Sequence, residues 1–372
     1  MTFWTRIEQW FKHRLFRLLE DHVGRKPISP EQLDSIRVRK ILVIRQHDQL
    51  GDLLLSTPVF RALKSRFPKA NLTVIVRSYT QSILSHHPCI DQVLVFYENL
   101  LQWSPVKLIR FILSLRSGFD LTIVLNTVSH SMSSDTMAAL SNAPFILGSS
   151  HLLFSGCKKN FYYNLLAPYA SQPKHQSERN LDIVRYIKAD TDIMREEIGL
   201  SAEEKKKALN HFQPFLRENK PIIGIHPGAG KIPNRWPARR FAETADELIK
   251  KSMGAVVLFQ GPGEENLVEA IQANMKHSCH IMPKLTLRDL AASFSHLNLF
   301  ICNDTGVLHV AASVGTPTIA LFGPTDPALW KPLGDYVMAI RGRSNRVDQI
   351  SVDKVVKQSL RFLKKPPVLK EK

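Results

Sequence analysis

Short apolar runs alternate with segments of helical periodicity along most of this chain. The runs at 40–45, 73–76, 93–96, 121–125, 222–225, 255–260, 299–302 and 318–322 are of the buried-strand type. Continuous apolar strands separated by helices are typical of parallel sheets that are covered on both faces. The alternation therefore predicts an α/β protein built on open, mostly parallel sheets.

Length and charge narrow the functional classes. The 372 residues leave room for two such sheets, each with its own core. The formal net charge is +17, which favours anionic partners. Because no RNA-binding, zinc-finger or basic-zipper pattern accompanies the charge, nucleic acid is not an expected partner. The cysteines show no paired spacing, which predicts reduced thiols and no metal site; they are Cys89, Cys157, Cys279 and Cys302.

One strand-turn-helix pattern predicts an anion site. After the apolar run at 299–302, Asp304, Thr305 and Gly306 precede a segment of helical spacing. Asp304 or Thr305 is expected at the N-cap, with its side chain accepting from the first turn. Gly306 lets a ligand approach the main chain, and the helix dipole suits a phosphate. An ordinary capped crossover helix explains this local pattern equally well.

Two more glycine-containing loops follow apolar runs in the C-terminal half. HPGAG occupies 226–230, and GPGEEN occupies 261–266. The glycines let the main chain approach a ligand. Glu264 or Glu265 is expected at a helix start, where its carboxylate either accepts from ribose hydroxyls or only complements the helix dipole.

The loop after the first predicted strand contains a single glycine, Gly51. It lacks the G-x-G-x-x-G pattern of dinucleotide-binding folds, and no G-x-x-x-x-G-K phosphate loop occurs in the chain. NAD-dependent enzymes and P-loop NTPases are therefore disfavoured.

Residues 1–20 place aromatic and aliphatic side chains at helical spacing, with arginine and lysine largely between them. An apolar face beside a basic one is typical of a helix that lies in a membrane interface. A helix docked on its own domain or on a partner subunit gives the same pattern. Since no apolar run approaches the ~18 residues of a membrane span, peripheral contact with an acidic leaflet is the favoured interpretation.

Three blocks of the sequence resemble glycosyltransferase family 9, the heptosyltransferase family of lipopolysaccharide core assembly. They are IRQHDQLGDLLLSTPVFRALKSRFPKANLTVIVR at 44–77, HPGAG followed by RWP at 226–237, and NDTGVLHVAASVGTPTIALFGPTDPALWKP at 303–332. The blocks lie in the family's order and span the chain from about residue 40 to the last predicted helix.

The resemblance implies the GT-B fold, in which two Rossmann-like domains face each other across a cleft. We expect the following boundaries: an N-terminal amphipathic helix and linker (1–38), an acceptor domain (39–190), a connector (191–220), a nucleotide-sugar-binding domain (221–345), and a C-terminal helix with a basic tail (346–372).

The implied reaction transfers a heptose from ADP-heptose to a hydroxyl of a lipopolysaccharide core sugar, with inversion. The resemblance assigns Asp52 as the base that deprotonates this hydroxyl. Asp48 is a nearby rival for the role. Without the resemblance, Asp52 is more simply explained as a first-turn acid favoured by the helix dipole.

The resemblance also implies a donor site. Its expected residues are His226, Gly228, Gly230, Lys231, Arg235, Gly261, Glu264, Asp304, Thr305, Gly306 and His309. The family usually has a phosphate-binding lysine where this chain has Asn234. Arg235 or Lys231 is expected to replace it, and Arg235 is favoured because a guanidinium suits bidentate phosphate contact. No metal or other cofactor is expected.

Residues 126–180, which include His130, are expected to contribute to a glycan-binding surface or to form a variable surface loop. Two other functions remain open: a non-catalytic relative that binds sugar nucleotides or glycans, and a sugar-nucleotide epimerase of similar build. The expected location is the cytoplasm, with peripheral attachment to the inner face of the inner membrane.

Overall fold

The structure is a computed structural model that describes residues 3–46, 49–127, 131–151, 157, 160–169 and 171–366. Within α1, the side chains of residues 3–9, 11, 12 and 23 are outside this description. The chain forms two compact units. Residues 1–48, 58–81 and 88–192 belong to the N-terminal unit, and residues 49–57, 82–87 and 193–372 belong to the C-terminal unit.

The N-terminal unit is a parallel sheet of six strands with helices between them. Its strands are β1 (Lys40–Ile44), β2 (Asn71–Arg77), β3 (Gln92–Phe96), β4 (Leu121–Val124), β5 (Phe145–Ser149) and β6 (Leu165–Ala167). Its helices are α1 (Phe3–Val23), α3 (Thr57–Arg66), α4 (Pro105–Leu115), α5 (Met132–Leu140) and α6 (Gln176–Arg185), and the spatial order of the strands is β3-β2-β1-β4-β5-β6.

The C-terminal unit repeats this plan with the order β12-β11-β10-β7-β8-β9. Its strands are β7 (Ile222–His226), β8 (Ala255–Leu258), β9 (His280–Ile281), β10 (Leu299–Asn303), β11 (Thr318–Phe322) and β12 (Val337–Arg341). Its helices are α2 (Leu50–Leu54), α7 (Ala202–Leu209), α8 (Gln213–Arg217), α9 (Ala238–Ser252), α10 (Glu265–Asn274), α11 (Leu287–Phe294), α12 (Gly306–Ser313), α13 (Pro327–Trp330) and α14 (Val352–Lys364).

Both sheets have the strand order of a Rossmann fold, which confirms the predicted class of open parallel α/β sheets. The order reverses between β1 and β4 in the first sheet and between β7 and β10 in the second. In such folds ligands bind outside the carboxyl ends of the two strands at this switch point.

Apolar strands and amphipathic helices supply each core. In the C-terminal unit, Phe241 of α9 and Val355 of α14 pack with Ile225 and Ile301 of the central strands. In the N-terminal unit, Ile44, Ile75 and Val124 of the central strands pack with Met137 of α5. The core of the C-terminal unit therefore includes α14, beyond residue 345, where the sequence places the end of the nucleotide-sugar-binding domain.

The sequence predicts one helix from about residue 53 to residue 67, and this prediction is wrong. The structure has two helices, α2 and α3, separated at Leu55 and Ser56. Pro58 has no backbone N–H and cannot continue the first helix. The hydroxyls of Ser56 and Thr57 donate to the carbonyls of residues 53 and 54 instead, which ends α2. As a result α2 packs on α12 and belongs to the C-terminal unit.

Residues 3–23 form α1, in the region where the sequence predicts an amphipathic helix. Phe16 and Glu20 are buried, whereas Trp10, Leu15 and Leu18 are exposed. One side of the helix is therefore docked and another presents apolar groups to solvent. Among the described residues, no helix is long and apolar enough to cross a bilayer.

Candidate functional site

The loops with the predicted donor residues lie at the switch point of the C-terminal sheet. The loop 226–230 leaves the carboxyl end of β7, and the turn 303–306 leaves the carboxyl end of β10. The two strands are direct neighbours, with Cys302 aligned with His226. Residues that are far apart in sequence are therefore brought to one edge of the sheet, where Rossmann folds bind ligands.

Asn303 connects the loops at this edge. Its side chain is fully buried, and its Oδ1 accepts from the N–H of Trp236 at 3.0 Å. Its Nδ2 donates to the carbonyl of Pro227 at 2.7 Å. A single amide thus fixes the HPGAG loop and the RWP segment relative to β10. The sequence pattern does not predict this role of Asn303; its only signal is an amide at the end of a buried strand.

The turn after β10 leads into α12 without a side-chain cap. Thr305 is the N-cap residue, and no side chain of the described residues caps α12. The predicted capping hydrogen bond from Asp304 or Thr305 is therefore wrong. Thr305 has an extended backbone, and Oδ2 of Asp304 accepts from Nδ2 of Asn234 at 3.3 Å. The first turn of α12 offers N–H donors at the positive end of the helix dipole, which suits an anion.

His226, Glu264 and the glycines of two loops form a compact polar group. Oε2 of Glu264 lies 3.0 Å from Nε2 of His226 and accepts from the N–H of Gly261 at 2.7 Å. Burial opposes ionisation of Glu264. His226, the N–H of Gly261 and nearby Arg235 outweigh burial and lower the pKa of this carboxyl below its usual value. Glu264 is therefore an anion that links the ends of β7 and β8.

Glycine at position 228 leaves room for the carboxylate of Glu264. A Cβ there would lie 1.8 Å from Oε1 of Glu264, whereas a Cβ at Gly230 would meet nothing within 4 Å. The two glycines of the HPGAG loop thus differ, because Gly228 allows Glu264 to lie over the loop. The carboxylate of Glu265, the alternative raised by the sequence, pairs with Lys284 instead.

The candidate phosphate-binding cations lie on the same loop. Arg235 is half-buried, and its Nε donates to the carbonyl of Ala229 at 2.8 Å. Lys231 is exposed. Asn234, at the position of the family lysine, is in contact with Asp304. Arg235 is therefore positioned by the HPGAG loop.

Asp52 belongs to the C-terminal unit together with the donor loops. It lies in the first turn of α2, where it forms a capping box with Gln49: the N–H of Gln49 donates to Oδ2 of Asp52 at 3.3 Å. The carboxylate is partly exposed. Asp52 thus has the structural role that its helix position predicts and remains accessible.

Gly51 and Gly306 allow α2 to approach α12 closely. A Cβ at Gly51 would lie 2.8 Å from Cδ2 of His309, and a Cβ at Gly306 would lie 3.3 Å from Cβ of Leu50. The glycine before Asp52 is therefore needed because the imidazole of His309 occupies the space of a side chain.

His309 is held from its other side by Glu196. Its Nδ1 lies 2.8 Å from Oε1 of Glu196, and both side chains are buried. Burial disfavours the imidazolium, but Glu196, together with the charges of Asp304 and Asp52, outweighs it and raises the pKa of His309 above the ordinary value. No sequence pattern predicts this role of Glu196, because the residue lies in the charged connector, 113 residues from its partner.

Two predicted positions, Asp48 and His130, lie outside the described residues, as does the end of the basic tail from residue 367. Within the described part of the chain, no cluster of three or more His, Cys, Asp or Glu side chains has the geometry of a metal site.

Comparison with known proteins identifies the family. The model of glycosyltransferase family 9 (heptosyltransferase) matches residues 109–358. Lipooligosaccharide heptosyltransferase 2 of Haemophilus influenzae is 27% identical over 311 residues, which are 78% of this chain and 86% of that protein.

Solved structures show the same fold. A family 9 glycosyltransferase from Veillonella parvula superimposes with a TM-score of 0.75 at 22% identity, covering 88% of this chain and 98% of that one. The ADP-heptose lipopolysaccharide heptosyltransferase II of Escherichia coli gives 0.70 at 23% identity, covering 87% and 98%. The GT-B fold class and the family resemblance are confirmed: the chain belongs to glycosyltransferase family 9, the heptosyltransferases.

Proposed function

We propose that this glycosyltransferase moves a heptose from ADP-heptose to a hydroxyl of a lipopolysaccharide core sugar and inverts the anomeric centre. The observation that carries the proposal is the packing of α2, the helix that contains Asp52, on α12, whose start has no side-chain cap, within one compact unit. A base and a diphosphate site are the two elements that such a transfer requires.

The donor diphosphate binds the first turn of α12 and the HPGAG loop. The N–H groups of Thr305 and Gly306 and the guanidinium of Arg235 neutralise the charge that develops on the departing ADP. Glu264, which is already ionised, accepts from the ribose hydroxyls. The choice of ADP-heptose is supported by the name of the Escherichia coli enzyme with the same fold.

Asp52 takes the proton of the acceptor hydroxyl as its oxygen attacks the anomeric carbon. A new C–O bond forms on one face of the sugar while the bond to the β-phosphate oxygen breaks on the other, so that the products are the extended glycan and ADP. His309, in the first turn of α12, has a pKa that burial lowers and that Glu196, Asp304 and Asp52 together raise above its ordinary value. No metal is required in this scheme, because the helix end and Arg235 supply the neutralisation.

The acceptor binds the N-terminal unit, with residues 126–180 contributing to its surface. We place the enzyme at the cytoplasmic face of the inner membrane, where a lipid-linked acceptor is exposed to a soluble nucleotide sugar. The exposed apolar side chains of α1 support peripheral attachment.

The decisive experiment is Asp52→Asn. Asparagine keeps an acceptor oxygen for the N–H of Gln49, so the capping box and the fold should persist. With ADP-heptose and a delipidated core oligosaccharide, turnover should fall by about 10²- to 10⁴-fold, while donor affinity from calorimetry stays within a few-fold. NMR of the wild-type product reports the anomeric configuration.

Asp289→Asn is the matched control, because Asp289 also occupies the third position of a helix, α11, and is bound to its N-cap residue Thr286. Its turnover should equal that of the wild type. Undiminished turnover of Asp52→Asn would remove the proposed base. Donor conversion without any acceptor would instead indicate an epimerase. A thermal-shift screen of nucleotide sugars tests the donor, since a ligand of the folded state raises its melting temperature.

A further inference from the structure

The segment before α4 and the outer side of α4 expose a concentration of large apolar side chains. We define the α4 patch as Leu100, Leu101, Val106, Ile109 and Leu113. Residues 106, 109 and 113 lie three and four apart and form one stripe along the helix. Leu101 is 92% exposed, Leu113 is 65% exposed and Ile109 is 58% exposed. Contiguous apolar surface of this kind marks an interaction site.

The inner side of α4 is well packed, so the exposure is not the result of an undocked helix. Leu115 is buried, and Phe111 packs edge-on against Trp103, with ring centroids 5.2 Å apart. The indole of Trp103 donates to the carbonyl of Tyr97 at 2.7 Å. The α4 patch is therefore presented on a fixed scaffold in one orientation.

Within the segment 99–119, which carries the α4 patch, the charged side chains are all cationic. Residues 99–119 contain Lys107, Arg110 and Arg116 and no aspartate or glutamate. All three cationic side chains are exposed. Lys107 lies over the ring of Tyr97 at 4.5 Å. An apolar stripe flanked by exposed cations matches a bilayer that contains anionic lipid, with its apolar interior and its negative surface.

The place of the α4 patch in the fold fits a lipid-linked substrate. Leu100 and Leu101 follow the carboxyl end of β3, and α4 begins at the same edge of the N-terminal sheet. This is the edge at which Rossmann-like units bind their ligands. A bilayer in contact with the α4 patch would hold a membrane-embedded glycan near the edge where the N-terminal unit is expected to bind it.

We propose that the α4 patch is a membrane-docking surface, with its leucine and isoleucine side chains in the interfacial layer of an anionic bilayer and its cations on the lipid headgroups. The high exposure of Leu100 and Leu101 suits insertion of their side chains between lipids. The purpose of this docking rests on the proposed function, whereas docking itself is measured without any transfer reaction.

The test is flotation of the full-length protein with vesicles of phosphatidylcholine alone or with added phosphatidylglycerol. Wild-type protein should float with the anionic vesicles. For the variant Leu101→Ser/Ile109→Ser/Leu113→Ser, the partition coefficient between vesicles and solution should fall by about tenfold or more. Lys107→Glu/Arg110→Glu should lose binding to the anionic vesicles and no longer respond to phosphatidylglycerol.

Two control variants test whether vesicle binding depends on the α4 patch and not on other exposed apolar side chains. Leu216→Ser/Met253→Ser removes exposed apolar groups of the C-terminal unit and should float like the wild type. Trp10→Ser/Leu18→Ser removes side chains of α1 that are 56% and 58% exposed and should keep at least half of the binding. Unchanged flotation of the triple serine variant overturns the proposal, as does complete loss of binding in the α1 variant alone.

A second copy of the chain is the competing occupant. Light scattering that shows a wild-type dimer, and a monomer for the triple serine variant, would assign the α4 patch to self-association and overturn membrane docking. With a soluble core oligosaccharide, the triple variant should retain wild-type turnover and lose activity only on acceptor embedded in vesicles. If the proposed function fails, neither acceptor is used by the wild type, yet flotation still decides the docking.

Discussion

The two switch points of this protein share a strand order and differ in chemistry. At the N-terminal switch point, Gln46, the second residue after β1, is buried and bonded through both ends of its amide, to the hydroxyls of Ser133 and Ser134. At the C-terminal switch point, glycines line the loop after β7, and the helix after β10 has no side-chain cap. The amide of Gln46 is thus bonded within its own unit, whereas the C-terminal switch point offers backbone N–H donors.

The comparison indicates that strand order determines where a ligand-binding site lies, whereas the loops determine which ligand it binds. The buried amide of Asn303 shows this role of the loops, because its hydrogen bonds fix the positions of two loops. The backbone donors of α12 are left for an anion. Substitutions at the two switch points should therefore differ in their effect on donor binding.

The largest effect is expected for Asn303→Ala. Loss of the amide leaves the N–H of Trp236 and the carbonyl of Pro227 buried without their partner, which should cost about 2–4 kcal/mol of unfolding free energy. Donor affinity should fall at least tenfold because two loops lose their anchor. Urea unfolding and calorimetry measure the two quantities.

Asn298 provides a matched control at the other end of β10. Its Oδ1 accepts from the N–H of Ile222 at 2.7 Å, on the edge of the sheet away from the site. Asn298→Ala should cost about 1 kcal/mol and leave donor affinity unchanged. Equal loss of donor affinity in both variants would mean that Asn303 acts through stability alone.

The next effect is expected for Gly228→Ala. The added methyl group collides with the carboxylate of Glu264, so unfolding free energy should fall by about 1–3 kcal/mol and donor affinity about tenfold. Gly230→Ala, two residues along the same loop, places its methyl group in open space and should keep the unfolding free energy of the wild type. Equal unfolding free energies for the two variants would contradict the steric role of Gly228.

A smaller, pH-dependent effect is expected for Glu196→Gln. Since the folded protein raises the pKa of His309, the stabilisation is complete below the ordinary histidine pKa of about 6.5 and is lost as pH rises through the raised value. The variant should be less stable than the wild type by about 1–2 kcal/mol at pH 5.5, and the gap should narrow at alkaline pH. Thermal unfolding of both proteins from pH 5.5 to alkaline pH measures this difference in stability.

Glu197→Gln changes the neighbouring, less buried carboxylate and should leave the pH dependence of unfolding unchanged. A difference between Glu196→Gln and the wild type that stays constant with pH would show that the imidazolium of His309 is not the group involved.

The smallest effect on donor binding is expected for Gln46→Ala, at the N-terminal switch point. Loss of its two hydrogen bonds should lower the unfolding free energy by about 1–2 kcal/mol, with donor affinity unchanged. A large loss of donor affinity in this variant would contradict the claim that only the C-terminal switch point binds the donor.

The sequence predicts the family, because the signature blocks are long, and eight of the twelve strands in the described residues, because those eight are continuous apolar runs. It does not predict β5, β6, β9 and β12. It predicts the partners of individual polar groups poorly. Asn303 and Glu196 act on residues 67 and 113 positions away, and no local pattern carries those pairings. The break between α2 and α3 was predictable from Pro58, but its consequence, the association of α2 with α12, depends on tertiary packing.

The packing of α2 on α12 has a practical consequence for preparing a fragment of this protein. A fragment that starts at the connector, near residue 193, would contain both donor loops but would lack Leu50, Gly51 and Asp52. The groove on α12 that receives Leu50 beside Gly306 would then face water, and His309 would lose its cover. A synthetic peptide spanning residues 49–57 would be needed to cover this surface of the fragment again. Its binding to the fragment would measure directly how strongly α2 associates with the C-terminal unit.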